Sequence, residues 1–203
     1  MVKSAMTKEP KRKSIGATRN PASAEAILTA AAEVLIEKGY RGFTIDEVAR
    51  RAKAGKPTIY KWWPNKAVLL LDVYLRQKSI IFQNTGKFED DLVAFINAIL
   101  TNWRETPSGQ IFRSIIAEAQ SDETSRAAVT KFATDRQAET SFLILQGLKR
   151  GEVRASVDPI GVARWIGAYL WYQLLTDRLS LTTDELRNDV EILLAGLANK
   201  PPS

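Results

Sequence analysis

An all-α fold is predicted for this chain by three observations. Apolar residues recur at three- and four-residue spacing in stretch after stretch, which gives each stretch one buried face as a helix. The stretches open at side chains that cap helix N-termini, Thr44, Asn65, Asp158 and Thr182, and two of them close at a glycine, Gly39 and Gly151. No segment alternates apolar and polar residues as a half-buried strand must. With 203 residues, 45% hydrophobic and 26% charged, the chain is long enough for one substantial core or two modest domains.

In order, residues 1–20 carry Lys3, Lys8, Lys11, Arg12, Lys13 and Arg19 with almost nothing apolar to bury, and are expected to form a disordered basic arm. Such an arm either gains phosphate or minor-groove contacts on DNA or is a solvated tail. Pro21 to Lys38 is a first helix, apolar at Ile27, Ala30, Ala31, Val34 and Leu35 and stopped by Gly39. Two short helices follow within Phe43 to Lys66. A fourth helix runs from Lys66 to Phe82 through Val68, Leu69, Leu71, Val73, Tyr74 and Leu75, and joins the N-terminal part to the rest. Phe88 to Trp103 and Ser108 to Gln120 are amphipathic helices split by Thr106-Pro107. Ser121 to Arg150 is a long helix, weakest near its middle, ended by Gly151. Asp158-Pro159 is an N-cap with a first-turn proline and opens a helix reaching to Asp177. In the last helix Thr182 and Glu185 form a capping box ahead of Leu186, Val190, Leu193, Leu194 and Leu197. The count is about nine helices.

Phe43 to Lys66, FTIDEVARRAKAGKPTIYKWWPNK, is the most informative stretch. Thr44 followed three residues later by Glu47 reads as a capping box, and Ile45, Val48, Ala49 and Ala52 make one buried stripe. Gly55 breaks the register, and a second helix begins at Lys56 with Pro57 in its first turn, where a missing N–H costs nothing. Ile59 and Trp63, four apart, can face the preceding helix. Lys56, Pro57, Tyr60 and Lys61 then face outward and suit DNA: cations for phosphate, a hydroxyl and ring for a base edge, a flat proline for a thymine methyl. Pro64-Asn65 ends this helix and caps the next, so Lys66 and the backbone N–H groups beside it can hold one phosphate. The unit reads as a DNA-binding helix-turn-helix; the alternative is a helical hairpin whose lysines are merely solvated.

Charge agrees with the first reading. Residues 1–66 hold 14 Lys and Arg against 6 Asp and Glu, a net of +8, while residues 67–203 hold 15 against 17, a net of −2. A basic head on a slightly acidic body is the footprint of a nucleic-acid-binding domain joined to something with another task. The sequence has no cysteine, which excludes disulfides. It has no histidine either, which removes the usual general base, the His-paired nucleophiles and the commonest zinc ligand, and argues against an enzyme. No cofactor and no metal are expected. No apolar run reaches the length of a membrane span and no signal-peptide core precedes the first helix, so a cytoplasmic protein without a membrane partner is expected.

These residues resemble the DNA-binding region of the tetracycline-repressor (TetR) family of one-component bacterial regulators. The resemblance is carried by a long first helix ending at Gly39, Phe43-Thr44 opening the second, Thr58-Ile59-Tyr60 in the third, an aromatic after it, and Lys66 opening the fourth. It is strong from Ala22 to Leu71; beyond that, helix number and order alone agree. It implies a three-helix N-terminal DNA-binding domain, here within residues 21–81 with the helix-turn-helix at 44–63, and a six-helix C-terminal ligand-binding and dimerisation domain over 82–203. It further implies that Thr44 contacts a phosphate, that Lys56, Pro57, Thr58 and Tyr60 face the groove, and that Lys61, Trp62 and Lys66 bind backbone phosphate. Thr58 has the alternative of only supporting its helix. Trp62 stands where the family commonly has a small polar group or His, and two roles are open to it: donating its indole N–H to a phosphate, or covering the helix junction. The turn departs as well, with Ala52-Lys53-Ala54-Gly55 in place of Ala-Gly-Val-Ser. Lys53 would then take the left-handed conformation usually left to glycine, at about 1 kcal/mol.

The body must supply a dimer and a switch. Helix 158–177 is apolar nearly all round and is expected to be buried on more than one side, with Gly161, Gly167 and Ala168 allowing close backbone approach. Trp171 and Tyr172, with Val190, Leu194 and Leu197 of the last helix, are the expected homodimer face, completed by a symmetry mate into a four-helix bundle. An ordinary monomer core is the alternative. A pocket for a small-molecule effector is expected among the middle helices at Trp103, Phe112, Phe142, Trp165 and Tyr169, with Arg113, Gln146, Glu118 and Arg164 as its polar candidates. Those aromatics can equally be core. Lack of histidine rules out a His-assisted metal-chelate site like that of the family's namesake. The expected function is a homodimeric transcriptional regulator, a repressor released from a palindromic double-stranded DNA operator by its effector. Two other classes stay open: a ligand-independent or activating regulator, and a helical enzyme or interaction protein with a vestigial head.

Overall fold

The computed structural model describes residues 20–76 and 83–197, and among these it forms nine helices. They are α1 (Pro21–Gly42), α2 (Ile45–Ala52), α3 (Lys56–Trp62), α4 (Lys66–Arg76), α5 (Phe88–Glu105), α6 (Ser108–Ala119), α7 (Glu123–Lys149), α8 (Pro159–Leu175) and α9 (Thr183–Ala195). The arm expected over residues 1–20, apart from Asn20, and the expected continuation of the fourth helix beyond Arg76 lie outside the described residues.

Local chemistry sets the ends of these helices. Asn20 opens α1 by accepting from the backbone N–H of Ala22 at 3.0 Å and of Ser23 at 3.4 Å. Gly39, at φ 62°, interrupts the helix as its position in the sequence requires, although one more turn follows as far as Gly42. Asp158 caps α8 through the N–H groups of Ile160 and Gly161, and Thr182 and Glu185 make both halves of a capping box on α9. At α2 only half of the expected box exists. Thr44 accepts from the Glu47 N–H at 3.3 Å, but the Glu47 carboxylate is taken by Arg50 at 2.7 Å and Arg51 at 2.9 Å. Arg51 also forks onto Glu37 of α1 at 2.7 and 2.6 Å, so this carboxylate locks α2 to α1 instead of closing its own cap. Arg50 first and Arg51 second hold Glu47 down to about 2.

The head is α1–α4. Its core is Ile27, Val34, Val48, Ile59, Trp63 and Leu70, all buried, with α1 packed on α2 and α4. α4 reaches into the body, where it packs on α6 and α7. In the body α7 lies along α8, α5 contacts α9, and Phe112 of α6 sits wholly buried at the centre. The long helix expected to weaken at its middle is continuous from Glu123 to Lys149. Burial of Phe132, Thr140, Leu143 and Ile144 holds it, so tertiary packing overrides the sequence's mixed propensity there.

Candidate functional site

The reading surface is built on the turn between α2 and α3. Lys53 closes α2 in the left-handed conformation, φ 50° and ψ 37°, with its N–H on the Ala49 carbonyl, and Ala54 donates to the same oxygen at 3.0 Å. Gly55 is the extended N-cap of α3, with no side chain to offer it. Ile59 and Trp63 point inward and are buried, and the Trp63 indole N–H donates to Asp72 of α4 at 2.7 Å. With that side fixed, Thr44, Lys56, Pro57, Tyr60 and Lys61 are all exposed, while Thr58 is half-buried. Tyr60 keeps 49% of its surface. Lys56 pairs with Asp46 of α2, which raises the ammonium pKa and holds the side chain beside the turn. Trp62 is half-buried, with its ring edge-on to Trp63 at 5.8 Å, which places its bulk over the helix junction.

Lys66 is half-buried at the start of α4, and its ammonium lies 4.2 Å from the centre of the Tyr40 ring. The Tyr40 hydroxyl in turn donates to Glu118 of α6. Burial first, and then this carboxylate, push the tyrosine well above its ordinary pKa, so it remains a donor. A second link runs beside it. Asn65 accepts from the Val68 N–H at 3.0 Å, which caps α4, and its amide donates to Asp122 at 2.7 Å and to Ser125 at 2.9 Å, both at the start of α7. Asp122, its pKa lowered chiefly by Ser125, is also the N-cap of α7. Tyr40 in α1 and Asn65, just after the reading helix, are thus bonded to the end of α6 and the start of α7. The sequence showed Asn65 as a cap and Glu118 as a pocket group; it had no signal for either partner, which lie 57 and 78 residues away along the chain.

The body encloses a cavity of about 450 Å³ between α5, α6, α7 and α8. Of the residues expected in a pocket, Trp103 and Phe112 line it, together with Arg164. The others are elsewhere, each for a visible reason. Arg113 braces the end of α8 by donating to the Leu174 carbonyl at 2.8 Å and to Asp177 at 2.6 Å. Tyr169 donates to Asp189 at 2.8 Å and so ties α8 to α9, and Glu118 belongs to Tyr40. Gln146, Phe142 and Trp165 are on the outer surface, the last two 62% and 71% exposed. The expected dimer face is redistributed too. Trp171 is a cavity wall, edge-on to Phe112 at 5.7 Å, and Val190 is buried within the chain; Leu194 and Leu197 are half-buried against the core. Tyr172 is exposed, and with Trp165 and Leu175 of α8 and Ile192 of α9 it leaves an apolar outer surface. The cavity residues missed by sequence, Phe132, Arg136 and Thr140, are spaced four apart on α7 and share one face, a signal that the helical pattern did contain.

Among the described residues no cluster of three or more His, Cys, Asp or Glu side chains could hold a metal ion, and no helix is long and apolar enough to cross a membrane.

Comparison with known proteins places both halves. Residues 27–73 match the family described as bacterial regulatory proteins, tetR family, and residues 82–193 match the tetracyclin repressor-like C-terminal domain. The chain is 31% identical to the HTH-type transcriptional regulator YdeS of Bacillus subtilis, over 85% of its own length and 86% of the relative's. It is 31% identical to the DNA-binding transcriptional repressor TetR of Mycobacteroides abscessus, over 69% and 75% of the two chains. The crystal structure of the TetR family transcription regulator SCO0332 superposes with a TM-score of 0.75 at 27% identity, covering 87% of this chain and 99% of that one.

Proposed function

Since the chain belongs to the tetR family of bacterial transcriptional regulators, with that family's DNA-binding helix-turn-helix, we propose that it acts as a cytoplasmic homodimeric repressor that a small molecule releases from a palindromic operator. The regulator is not an enzyme. The observation that carries the finer reading is the pair of hydrogen-bonded links between the reading head and the cavity-bearing body, Tyr40 to Glu118 and Asn65 to Asp122 and Ser125.

In this reading α3 enters the major groove with Tyr60 and Pro57 toward base edges, while Thr44, Lys61 and Lys66 hold phosphates. A twofold dimer sets two such helices about 34–36 Å apart, on successive turns of the duplex. The exposed apolar surface of α8 and α9 around Trp165, Tyr172, Leu175 and Ile192 supports a self-complementary contact of that kind. Support for repression comes from the Mycobacteroides relative, named as a repressor. An effector in the cavity pushes on α6 and α7, both of which line it, and the linked turn carries the displacement to Tyr40 and Asn65. To release DNA, the effector must prefer the conformer with mismatched helix spacing by several kcal/mol, about 5.5 for a complete reversal of populations.

Selection of genomic fragments by the purified protein at physiological salt tests this directly. Recovery of one palindromic sequence, bound by a dimer, is expected, and the adjoining genes supply candidate effectors. Recovery of random fragments would remove the operator reading, and binding indifferent to every effector drawn from those genes would leave a ligand-independent regulator.

A further inference from the structure

Charge and shape within the cavity narrow the effector to a chemical class. The cavity is lined by an aromatic cluster: Phe112, wholly buried, is stacked on Tyr74 at 4.9 Å, nearly parallel to Trp103 at 6.0 Å and 20°, tilted against Phe132 at 5.0 Å, and met edge-on by Trp171, which is only half-buried. Aromatic rings in the lining favour a flat, unsaturated ligand that can stack on them or meet them edge to face. The volume, about 450 Å³, is within the range that holds a small organic molecule.

The polar groups are lopsided in charge. Arg136 and Arg164 line the cavity, with Glu139 as the single carboxylate among the residues that do. Arg136 gives one arm to Glu139, but its Nε is enclosed without any hydrogen-bond acceptor. Arg164 has no ion-pair partner among the described residues. An enclosed donor without an acceptor is an unfinished hydrogen-bonding set, and a small turn of the guanidinium toward an oxygen placed in the cavity would complete it. A cationic ligand would meet two guanidinium groups and find Glu139 already engaged. A neutral one would leave the imbalance standing.

We propose that the effector is a planar aromatic acid, its carboxylate held by Arg136 and Arg164 and its ring against Trp171. This rests on the cavity being the effector site, and a second position separates the two claims. Gly167 lines the same cavity, and a Cβ built there meets no atom within 4 Å, so a side chain can start from this position and a leucine would take up space there.

The test is calorimetric titration of the full-length protein with 2-naphthoate and, separately, with uncharged 2-naphthamide. The native protein is expected to prefer the carboxylate by about tenfold or more, as charge-assisted hydrogen bonds do over neutral ones. Arg136→Gln should reduce that preference most, with amide binding less affected, Arg164→Gln should reduce it less, the two together should bring it close to one, and Arg136→Lys should retain part of it. Gly167→Leu should abolish binding of both probes. Equal affinity for the two probes in the native protein, or a preference that survives the double replacement Arg136→Gln with Arg164→Gln, overturns the anion assignment and leaves the cavity as a ligand site. Unaltered binding in Gly167→Leu overturns the cavity itself as the effector site. Failure of the native protein to bind either probe overturns the aromatic acid as the class.

Discussion

α3 and α8 each turn aromatic side chains to the surface, and they use that side differently. α3 buries Ile59, with Trp63 just beyond its end, and turns Tyr60 and Lys61 outward. Its outer face is polar, hydrated and needs no cover until a polyanion arrives. α8 buries Val162, Ala163, Ile166 and Leu170, lends Trp171 and Gly167 to the cavity, and still presents Trp165 at 71%, Tyr172 at 52% and Leu175 at 53% exposure. Apolar area left in water at that density is the feature on which the proposed dimer contact rests. The head therefore offers charge and hydrogen-bonding groups on an open face, and the body offers apolar shape, both in its cavity and on its outer face.

The sharpest way to break this contrast is to spoil the apolar face of α8. Replacing Trp165 and Tyr172 together by Asp should yield monomers in sedimentation and lower operator affinity by about a hundredfold or more, because two half-sites no longer bind as one linked unit. A dimer that survives the double replacement would mean that the apolar surface has another use. On α3 the expected loss is smaller. Tyr60→Ala should cost about 1–3 kcal/mol on the operator and much less on random DNA, measured by competition binding; equal losses on both would take Tyr60 out of sequence readout. Lys66→Ala should reduce the salt dependence of binding by about one ion per protomer, and an unchanged slope counts against a phosphate contact at that position. Smallest is Lys53→Gly. Relief of a left-handed residue, offset by glycine's freedom in the unfolded chain, should raise unfolding free energy by at most about 1 kcal/mol, read by chemical denaturation. A destabilised variant would show that the turn holds no strain.

The head was far more legible than the body. Its two motif helices are short with one apolar stripe each, and the spacing of Ile59 and Trp63 turns Lys61 outward with Tyr60 at its flank, while Lys56 is exposed because it opens the helix. Two details still escaped. The Thr44 box is half-made because Arg50 and Arg51 compete for Glu47 at closer range, and Lys56 is held by Asp46. In the body, α8 is apolar nearly all round, so periodicity has little phase to report. Trp165 and Trp171 are chemically equivalent in sequence, yet one is outside and the other is a cavity wall. Of the charged pocket candidates Arg164 does line the cavity, and the other two were misplaced for a related reason: Arg113 and Glu118 found partners on other elements that no local pattern announces.

Caps, breaks and stripes act over a few residues, which is why the nine helices, the helix-turn-helix and the basic outer face of α3 follow from residue order and spacing. The links from Asn65 to Asp122 and from Tyr40 to Glu118, the cavity with its unsatisfied Arg136 Nε, and the choice between inner and outer tryptophan on α8 do not. Each depends on which helices come to lie side by side. That is settled by burial summed over many contacts in the folded chain, and no short window of the sequence contains it.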